Sequence, residues 1–376
     1  MNGHVSWLDL SAPGVPGLVP YAPGKPIGEL ARELGLDPAG IIKLASNENP
    51  LGASPLGWAA ARRALDEAHL YPDGACFDLK QALARVHGVA PEQCVIGNGS
   101  NEVLELIARA FLAPGRQALF ARHAFAVYPI VTQAAGAEAV VTPVRAGGER
   151  PYAPDLAAMA AAVTARTRVV FVANPNNPTG AWNTADEVHA LLGALPSTVI
   201  AVLDEAYHDY VSVPGYQSAT AWLQEFPNLI VTRTFSKIHG LAGLRVGYGL
   251  CSPELAAVLE RMREPFNVNL PAQAAATAAL DDAAFVQASV HANAEGMQQL
   301  EQGLAALGLG WIPSAGNFLC VNLGREAAPV YQALLRAGVI VRPVANYGLP
   351  NHLRITIGTA EQNARCLAAL AQALRA

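Results

Sequence analysis

A lysine stands at the end of a predicted strand, with hydroxyl side chains close to it. The apolar run 228–231 predicts a buried strand, and Thr234, Ser236 and Lys237 follow it. A lysine held in a partly dry pocket has a lowered pKa and becomes a nucleophile for carbonyl carbons. Two hydroxyls and a guanidinium, which Arg245 would supply, suit a phosphate group. The stretch therefore predicts a Schiff-base lysine beside a phosphate site, with an ordinary surface lysine at a strand end as the simpler alternative.

Polar side chains also follow the two preceding strands of the pattern. The apolar run 168–173 leads to Asn177, and the run 199–203 leads to Asp204 and Tyr207. Helices predicted at 184–194 and 216–225 separate these strands, and such alternation indicates a parallel sheet covered on both faces. Because ligands bind at the carboxyl ends of strands in such sheets, Asn177, Asp204 and Lys237 are expected in one crevice.

Pyridoxal phosphate needs such a set of groups. It requires a lysine for its aldehyde, a carboxylate that keeps its pyridine nitrogen protonated, donors to its phenolic oxygen and an aromatic wall. Lys237 is the predicted lysine and Asp204 the predicted partner of the pyridine nitrogen. Asn177 and Tyr207 are predicted to reach the phenolic oxygen, and Phe125 to stack on the ring.

The phosphate of this cofactor needs a cup of hydrogen-bond donors. A glycine turn before a predicted helix presents backbone N–H groups at a helix N-terminus, which favours an anion. The predicted phosphate site combines this turn with residues around the lysine, and its members are Gly99, Ser100, Asn101, Thr234, Ser236 and Arg245. Each position alone has a structural explanation, such as a tight turn or an ion pair, but the complete set in one crevice indicates a cofactor site.

Composition excludes several classes of protein. The chain has 376 residues, of which 52% are hydrophobic and 15% charged, so it can bury a sizeable core and is not expected to be disordered. A net charge of -5 gives no support for nucleic-acid or membrane-surface binding. Residues 1–7 lack a basic region followed by an apolar core, and charges interrupt the alanine-rich runs. Neither a signal peptide nor a membrane span is therefore expected.

The cysteines and histidines give no sign of a metal or disulfide framework. The cysteines are odd in number, scattered and without a Cys-x-x-Cys pair, which fits a reducing cytoplasm. His208 and His239 lie beside the motifs, but no histidine pair has metal-ligand spacing backed by acids or cysteines. No metal is therefore assigned.

The pattern predicts an α/β fold with a large domain, whose mostly parallel sheet is flanked by helices, and a small α+β domain. Residues 1–45 are expected to form an N-terminal arm, rich in proline and glycine, and part of the small domain. Residues 46–265 are expected to form the large cofactor-binding domain. Residues 266–376 are expected to form a linker helix and the C-terminal part of the small domain.

The motif series resembles that of fold-type I aminotransferases. The resemblance is carried by Asn-Pro-Asn-Asn-Pro-Thr-Gly at 174–180, Asp-Glu-Ala-Tyr at 204–207, Ser-Lys at 236–237 and Gly-Leu-Arg-Val-Gly at 243–247. Segments 44–50, 71–73, 265–269 and 353–358 extend it to the histidinol-phosphate aminotransferase family, from about residue 18 to the end. The resemblance implies a homodimer with the active site at its interface, where Tyr71 reaches the cofactor phosphate of the neighbouring subunit.

The implied reaction is amino transfer from histidinol phosphate to a 2-oxo acid, 2-oxoglutarate, in histidine biosynthesis. Lys237 would form the aldimine with the cofactor and then move the α-proton as general base and acid, with ping-pong kinetics. Arg354 is the family's counterpart for the substrate anion, and Arg342 adds a second guanidinium that suits a dianion. Tyr21 and Asn47 complete the predicted substrate site, although an asparagine such as Asn47 also orders turns.

Four alternatives stay open at this point. The same residues occur in relatives that transaminate phenylalanine or tyrosine, and a threonine-phosphate decarboxylase, a lyase, is also similar. The Gly97-x-Gly99 turn after a strand would suit a nicotinamide-binding oxidoreductase, but it lacks the third glycine and a placed acid. A non-catalytic cofactor-sensing regulator would need a basic DNA-binding segment, and none is evident.

Overall fold

The structure, a computed structural model, describes residues 6–375 of the chain. The expected absence of a signal peptide rests on residues 1–7, of which residues 1–5 lie outside the described part. The helices are α1 (Ile27–Leu34), α2 (Pro55–Ala64), α3 (Phe77–His87), α4 (Ser100–Phe111), α5 (Val127–Ala134), α6 (Leu156–Ala161), α7 (Ala185–Ala194), α8 (Pro253–Glu260), α9 (Leu270–Ala279), α10 (Ala283–Ala306), α11 (Ala327–Arg336) and α12 (Ala360–Arg375). The strands are β1 (Ile42–Lys43), β2 (Cys94–Gly97), β3 (Gln117–Ala121), β4 (Glu138–Thr142), β5 (Thr167–Ala173), β6 (Ile200–Asp204), β7 (Leu229–Thr234), β8 (Gly247–Leu250), β9 (Gly310–Ile312), β10 (Phe318–Asn322), β11 (Val339–Ile340), β12 (Arg342–Pro343) and β13 (His352–Thr356).

A seven-stranded sheet in the order β2-β8-β7-β6-β5-β3-β4 organises the larger part of the molecule. Its strands are parallel except β8, which runs antiparallel to β2 and β7. This arrangement, with helices on both faces, confirms the predicted α/β class. β5, β6 and β7 pair in register, with Ala173 opposite Asp204 and Asp204 opposite Thr232. The ends of these strands therefore lie side by side.

The central strands bury both of their faces, and this decides where their terminal side chains point. Along β5, Val170 and Val172 belong to one hydrophobic cluster, whereas Val169 and Phe171 belong to the cluster on the opposite face. Successive side chains of a strand alternate in this way. In β6, Val202 lies in the second cluster, so Asp204, two residues later, points to the same face, where α5 packs.

A smaller antiparallel sheet, in the order β12-β13-β10-β9, forms the second part of the structure. Leu319, Val321, Leu353 and Ile355 from its strands pack in one hydrophobic cluster with residues of the last helices. The short strand β1 near the N-terminus pairs in parallel with β11. The predicted small α+β domain is therefore present, while the predicted residue limits of the domains stay predictions.

One predicted helix was wrong. Residues 216–225 were expected to be helical, but only a short 3-10 turn, Ala219–Trp222, forms there. The backbone N–H of Ala219 and the hydroxyl of Ser218 both donate to the Glu205 carboxylate, at 2.7 Å each. These contacts tie the segment to the sheet and leave no room for a continuous helix.

Other boundaries also differ from the sequence prediction. The sequence pattern also predicts a helix at 58–69, but α2 begins earlier, at Pro55, because the Ser54 hydroxyl caps it, and it ends at Ala64. Strand β8 and helix α6 were not predicted, since a short glycine-containing strand and a six-residue helix give little periodicity.

Within residues 6–375, no helix is both long enough and apolar enough to cross a membrane.

A buried ion pair fastens β6 to β7 on the face opposite Asp204. Arg233 donates to Glu205 Oε2 from Nη2 at 2.9 Å and from Nε at 3.2 Å, and both side chains are almost fully buried. Ser218 Oγ and the Ala219 N–H add further donors to the same carboxylate. Because every oxygen of Glu205 is engaged, this pair stabilises the two strands that carry Asp204 and Lys237.

Replacing Glu205 by alanine is expected to destabilise the protein by about 3–5 kcal/mol, because Arg233 is then left buried without its partner. Guanidinium chloride unfolding of the cofactor-free protein measures this loss against wild type. The control is Asp281→Ala, which removes the exposed pair of Arg85 and Asp281 and should cost less than about 1 kcal/mol. Equal losses in the two variants would refute the stabilising role of the buried pair.

Candidate active site

A pocket opens at the carboxyl ends of β5, β6 and β7. Most of the residues predicted for the cofactor line it together. They are Ser100, Asn101, Phe125, Asn177, Asp204, Tyr207, Thr234, Ser236, Lys237 and Arg245. The structure thus brings this predicted set into one place, and the role of each residue stays a prediction.

Lys237 differs from the other lysines in its contacts. Lys25, Lys43 and Lys80 each pair with a glutamate within 3.1 Å, whereas Lys237 Nζ donates to the backbone carbonyl of Ser46 at 2.9 Å. Burial, followed by the nearby positive charge of Arg354, lowers the pKa of Lys237 to about 7. A large fraction of this amine is therefore unprotonated near neutral pH, as a nucleophile or general base requires.

Asp204 is buried and only half satisfied. The hydroxyl of Tyr128 donates to its Oδ2 at 2.8 Å, while Oδ1 has no hydrogen-bond partner among the described residues. Burial raises the pKa of Asp204 to about 6, and the hydrogen bond from Tyr128 opposes this shift. Since a buried polar atom normally has a partner, the free oxygen fits a cationic N–H group in the pocket.

Tyr207 and Asn177 line the pocket beside Asp204, and residues of the smaller sheet hold both. Asn47 Nδ2 donates to Tyr207 Oη at 2.8 Å, and Thr356 Oγ1 donates to Asn47 Oδ1 at 3.1 Å. Burial raises the pKa of Tyr207 to about 12, so this phenol keeps its proton. Arg354 donates from Nη1 to Asn177 Oδ1. Asn47, predicted to contact substrate, here positions Tyr207, and its substrate contact stays a prediction.

The far end of the pocket has the features of an anion site. Ser100 and Asn101 begin α4, and the first N–H groups of a helix lack partners within it. Arg245 donates to Ser236 Oγ at 3.3 Å, and Ser236 N donates to Thr234 Oγ1 at 3.1 Å. At Gly99 the φ of +78° favours glycine, and an added Cβ would lie 2.3 Å from Arg245 Nη2 and displace the guanidinium.

The predicted substrate arginines lie at the side of the smaller sheet. Arg354 is buried, donates to the Ala45 carbonyl at 2.6 Å and leaves Nε without a partner among residues 6–375. Arg342 donates to the carbonyl of Ala22 in the N-terminal arm at 2.6 Å, and its guanidinium carbon lies 5.5 Å from the ring centre of Tyr21. Arg342 is also buried. Its contacts hold the N-terminal arm.

Tyr21 and Tyr71 occupy different positions relative to the pocket. Tyr21 lies in a cleft shared with Asn101, Phe125 and Arg245, which are also pocket residues, so the arm reaches the pocket entrance. Tyr71 is 82% exposed and stacks on Phe266, with ring centres 4.7 Å apart. It does not line the pocket of its own chain.

The histidines beside the motifs and the Gly97-x-Gly99 turn have local structural explanations. His208 contacts the hydroxyl of Tyr216, and within residues 6–375 no cluster of three or more histidine, cysteine or acidic side chains could hold a metal. The strand before the Gly97-x-Gly99 turn is β2, which lies at a sheet edge and runs antiparallel to its neighbour. That position does not suit a nicotinamide-binding βαβ unit, which requires parallel strands.

The residues present fit pyridoxal phosphate. A low-pKa amine, a carboxylate oxygen without a partner and a donor-rich end lie in one pocket, and Phe125 supplies an aromatic side chain to its wall. Sequence reasoning missed Tyr128, which orients Asp204, and the Ser46 carbonyl, which holds Lys237. The signal for Tyr128 in the sequence was its spacing of three residues from Phe125, across a turn.

Comparison with known proteins gives a consistent result. A family model described as aminotransferase class I and II matches residues 39–370. The chain is 58% identical to histidinol-phosphate aminotransferase 2 of Pseudomonas fluorescens, over 100% of this chain and 99% of that protein. It is 57% identical to histidinol-phosphate aminotransferase 2 of Methylococcus capsulatus, over 98% of this chain and 100% of that protein. The histidinol-phosphate aminotransferase of Sinorhizobium meliloti, solved in complex with pyridoxal-5'-phosphate, superposes with a TM-score of 0.87 at 31% identity, covering 97% of each chain.

Reductive methylation of the cofactor-free protein at pH 7 is expected to modify Lys237 before Lys43 and Lys80. An amine reacts only when it is unprotonated, and burial lowers the pKa of Lys237 to about 7. Peptide mass mapping across pH 6–10 measures the rate at each lysine. The rate at Lys237 should level off above about pH 8, because its pKa is about 7.

Lys43 and Lys80 are internal controls, since glutamates hold their ammonium groups at 2.7 and 2.8 Å. If Lys237 reacts no earlier than these two at neutral pH, its amine is protonated there and the assignment of a neutral base is wrong.

Proposed function

Because the chain belongs to the class I and II aminotransferases, we propose that it transfers the amino group of histidinol phosphate to a 2-oxo acid, with pyridoxal phosphate as its cofactor. The observation that carries this proposal is the placement of Lys237 and Asp204 in one pocket, the amine with a pKa of about 7. Relatives at 57–58% identity over nearly the whole length, named histidinol-phosphate aminotransferases, support this donor and a place in histidine biosynthesis.

The pocket residues divide the task of holding the cofactor. Asp204 would offer its free Oδ1 to the pyridine nitrogen, Tyr207 and Asn177 would hold the phenolic oxygen, and Phe125 would supply the aromatic wall for the ring. The backbone at Ser100 and Asn101, after the N-cap Gly99, would receive the phosphate together with Thr234, Ser236 and Arg245. When bound, pyridoxal phosphate supplies an electron sink that stabilises negative charge on the substrate carbon.

Lys237 moves the proton in each half of the reaction. In the first half its Nζ takes the proton from the amine-bearing carbon of histidinol phosphate. In the second half it gives a proton to the carbon that receives the amine, the keto carbon of 2-oxoglutarate. A base with a pKa of about 7 is suited to both directions at neutral pH, because it gives up the proton as readily as it accepts it. The keto product then leaves and 2-oxoglutarate takes up the amine, so the kinetics are ping-pong.

The substrate phosphate is assigned to the side of the smaller sheet. Arg354, held by Asn177 and Ala45, lies next to the cofactor residues, and Arg342 with Tyr21 stands at the entrance. Two guanidiniums suit a dianion better than a single carboxylate. Asn47 contributes by fixing Tyr207.

A homodimer would complete the site, with Tyr71 of one subunit reaching the cofactor phosphate of its neighbour. This assignment is supported by the exposure of Tyr71 and by other large apolar side chains exposed in the same stretch of chain, including Trp58, Leu70 and Phe77. Exposed apolar patches mark contact surfaces. The cysteines of the described residues are all unpaired and buried, which agrees with the proposed cytoplasmic location.

The decisive experiment compares kcat/KM for histidinol phosphate, phenylalanine and tyrosine, each with 2-oxoglutarate. The proposal expects histidinol phosphate to exceed the aromatic amino acids by at least about 100-fold, since only it offers a dianion to both arginines. Borohydride reduction of the same preparation, followed by peptide mapping, should find the cofactor on Lys237.

Each competing activity has its own signature in this panel. A preference for phenylalanine or tyrosine would replace the proposed donor by an aromatic one. Carbon dioxide released from threonine phosphate without a 2-oxo acid would indicate the lyase. Cofactor trapped on another lysine would overturn the assigned centre.

Arg342→Ala is expected to lower kcat/KM for histidinol phosphate by about ten- to hundredfold, and for phenylalanine by less than threefold. The variant removes one charged hydrogen bond, worth about 1.5–3 kcal/mol, that only the phosphate receives. Steady-state kinetics with both donors measures the difference.

Arg365→Ala is the matched control, because this exposed arginine of α12 contacts only the Ala337 carbonyl, at 3.2 Å, within the described residues. Arg342 also holds the arm at Ala22. Equal losses with both donors would mean that Arg342 acts through the arm alone, and the second cationic contact to the phosphate would be excluded.

A further inference from the structure

Tyr128 lies behind the cofactor carboxylate, in the first turn of α5, and its side chain is fully buried. Its ring stacks on Phe171 of β5, with centres 4.8 Å apart and planes at 7°, and it meets the ring of Phe125 edge-on. Its hydroxyl donates to Asp204 Oδ2 at 2.8 Å. We propose that Tyr128 is a positioning residue that orients Asp204 and favours its ionised form, so that Oδ1 faces the pyridine nitrogen as a carboxylate.

The geometry gives each oxygen of Asp204 a separate task. Oδ2 is occupied by the Tyr128 hydroxyl, and Oδ1 is left without a partner among the described residues. A phenol has one proton to donate, and donating it to a carboxylate is favoured over donating it to a neutral acid. The two stacked rings hold the hydroxyl in place, so the carboxylate cannot rotate without losing this bond.

The charge state of Asp204 depends on few groups. Glu205 follows it in the chain, and although it is paired with Arg233 its negative charge raises the pKa of Asp204, whereas Tyr207 is a neutral phenol. Lys237 and Arg245 line the same pocket. Burial opposes ionisation of Asp204 and raises its pKa. Tyr128 makes the largest opposing contribution, and the Thr232 hydroxyl and the Ala206 N–H add smaller ones.

Tyr128→Phe is expected to have different effects on cofactor binding if Tyr128 only packs and if it positions Asp204. Phenylalanine at this position keeps the ring and both aromatic contacts, and it removes only the hydroxyl. If Tyr128 acts by packing alone, Tyr128→Phe changes neither the binding of pyridoxal phosphate nor its pH dependence. If it acts through Asp204, both change.

The inference rests on the proposed function, and cofactor binding tests the two separately. Cofactor-free wild type and Tyr128→Phe are titrated with pyridoxal phosphate at pH 6, 7 and 8, and the dissociation constant is read from the cofactor absorbance. The variant should bind about tenfold more weakly at pH 7, a loss of about 1.4 kcal/mol. The loss should be larger at pH 6 than at pH 8, because Asp204 without the hydroxyl stays protonated to a higher pH.

Steady-state kinetics and an Asp204→Asn variant distinguish a positioning role of Tyr128 from a purely structural one. With the loaded enzyme, Tyr128→Phe should lower kcat with little change in KM for the amino donor, because the substrate contacts are untouched. In an Asp204→Asn background, Tyr128→Phe should change the dissociation constant by less than about twofold, since the carboxylate through which it acts is gone.

Tyr210→Phe is the matched control, because Tyr210 is also buried and its hydroxyl has no partner within residues 6–375. Thermal unfolding of all the variants without cofactor checks the fold.

If wild type binds pyridoxal phosphate and Tyr128→Phe binds it with the same dissociation constant at every pH, the inference is overturned and the proposed function stays intact. A full effect that persists in the Asp204→Asn background would also overturn it. Failure of wild type to bind would overturn the proposed function itself.

Discussion

The in-register parallel pairing of β5, β6 and β7 is the constraint on which the site depends. It places Ala173, Asp204 and Thr232 in one row across the strand ends. Because side chains alternate between faces, a shift of β6 by one residue would send Asp204 into the opposite hydrophobic cluster and bring Glu205 to the pocket. The buried pair of Glu205 and Arg233 opposes such a shift, since it forms only when β6 and β7 keep this register.

The adjacent acids Asp204 and Glu205 show how one strand end serves stability on one face and chemistry on the other. Glu205 accepts hydrogen bonds at both oxygens from Arg233, Ser218 and the Ala219 N–H. Asp204 receives one from Tyr128 and keeps the other oxygen unpaired. An unpaired buried acceptor costs about 1–3 kcal/mol, and natural proteins accept such costs at functional sites. The contrast between these neighbours therefore identifies the functional face without reference to any relative.

Sequence reasoning succeeded where local pattern decides the outcome. Continuous apolar runs fix the ends of β5, β6 and β7, and parallel pairing then gathers Asn177, Asp204 and Lys237. It could not find contacts between segments far apart in the chain, such as Asn47 with Tyr207, 160 positions away, or Arg342 with the arm, 320 positions away. Periodicity carries no information on such pairs. It also failed at 216–225, where side-chain bonds to Glu205 outweigh helix propensity.

Three consecutive residues join the two parts of the site. The carbonyl of Ala45 accepts from Arg354, the carbonyl of Ser46 accepts from Lys237, and the side chain of Asn47 donates to Tyr207. This segment follows β1, which pairs with β11 beside the smaller sheet. One three-residue segment therefore anchors the buried Arg354, the Lys237 amine and the Tyr207 hydroxyl. Both the arginine and the lysine bond here to neutral carbonyl oxygens instead of carboxylates, so these contacts orient the two side chains without placing a negative charge beside them.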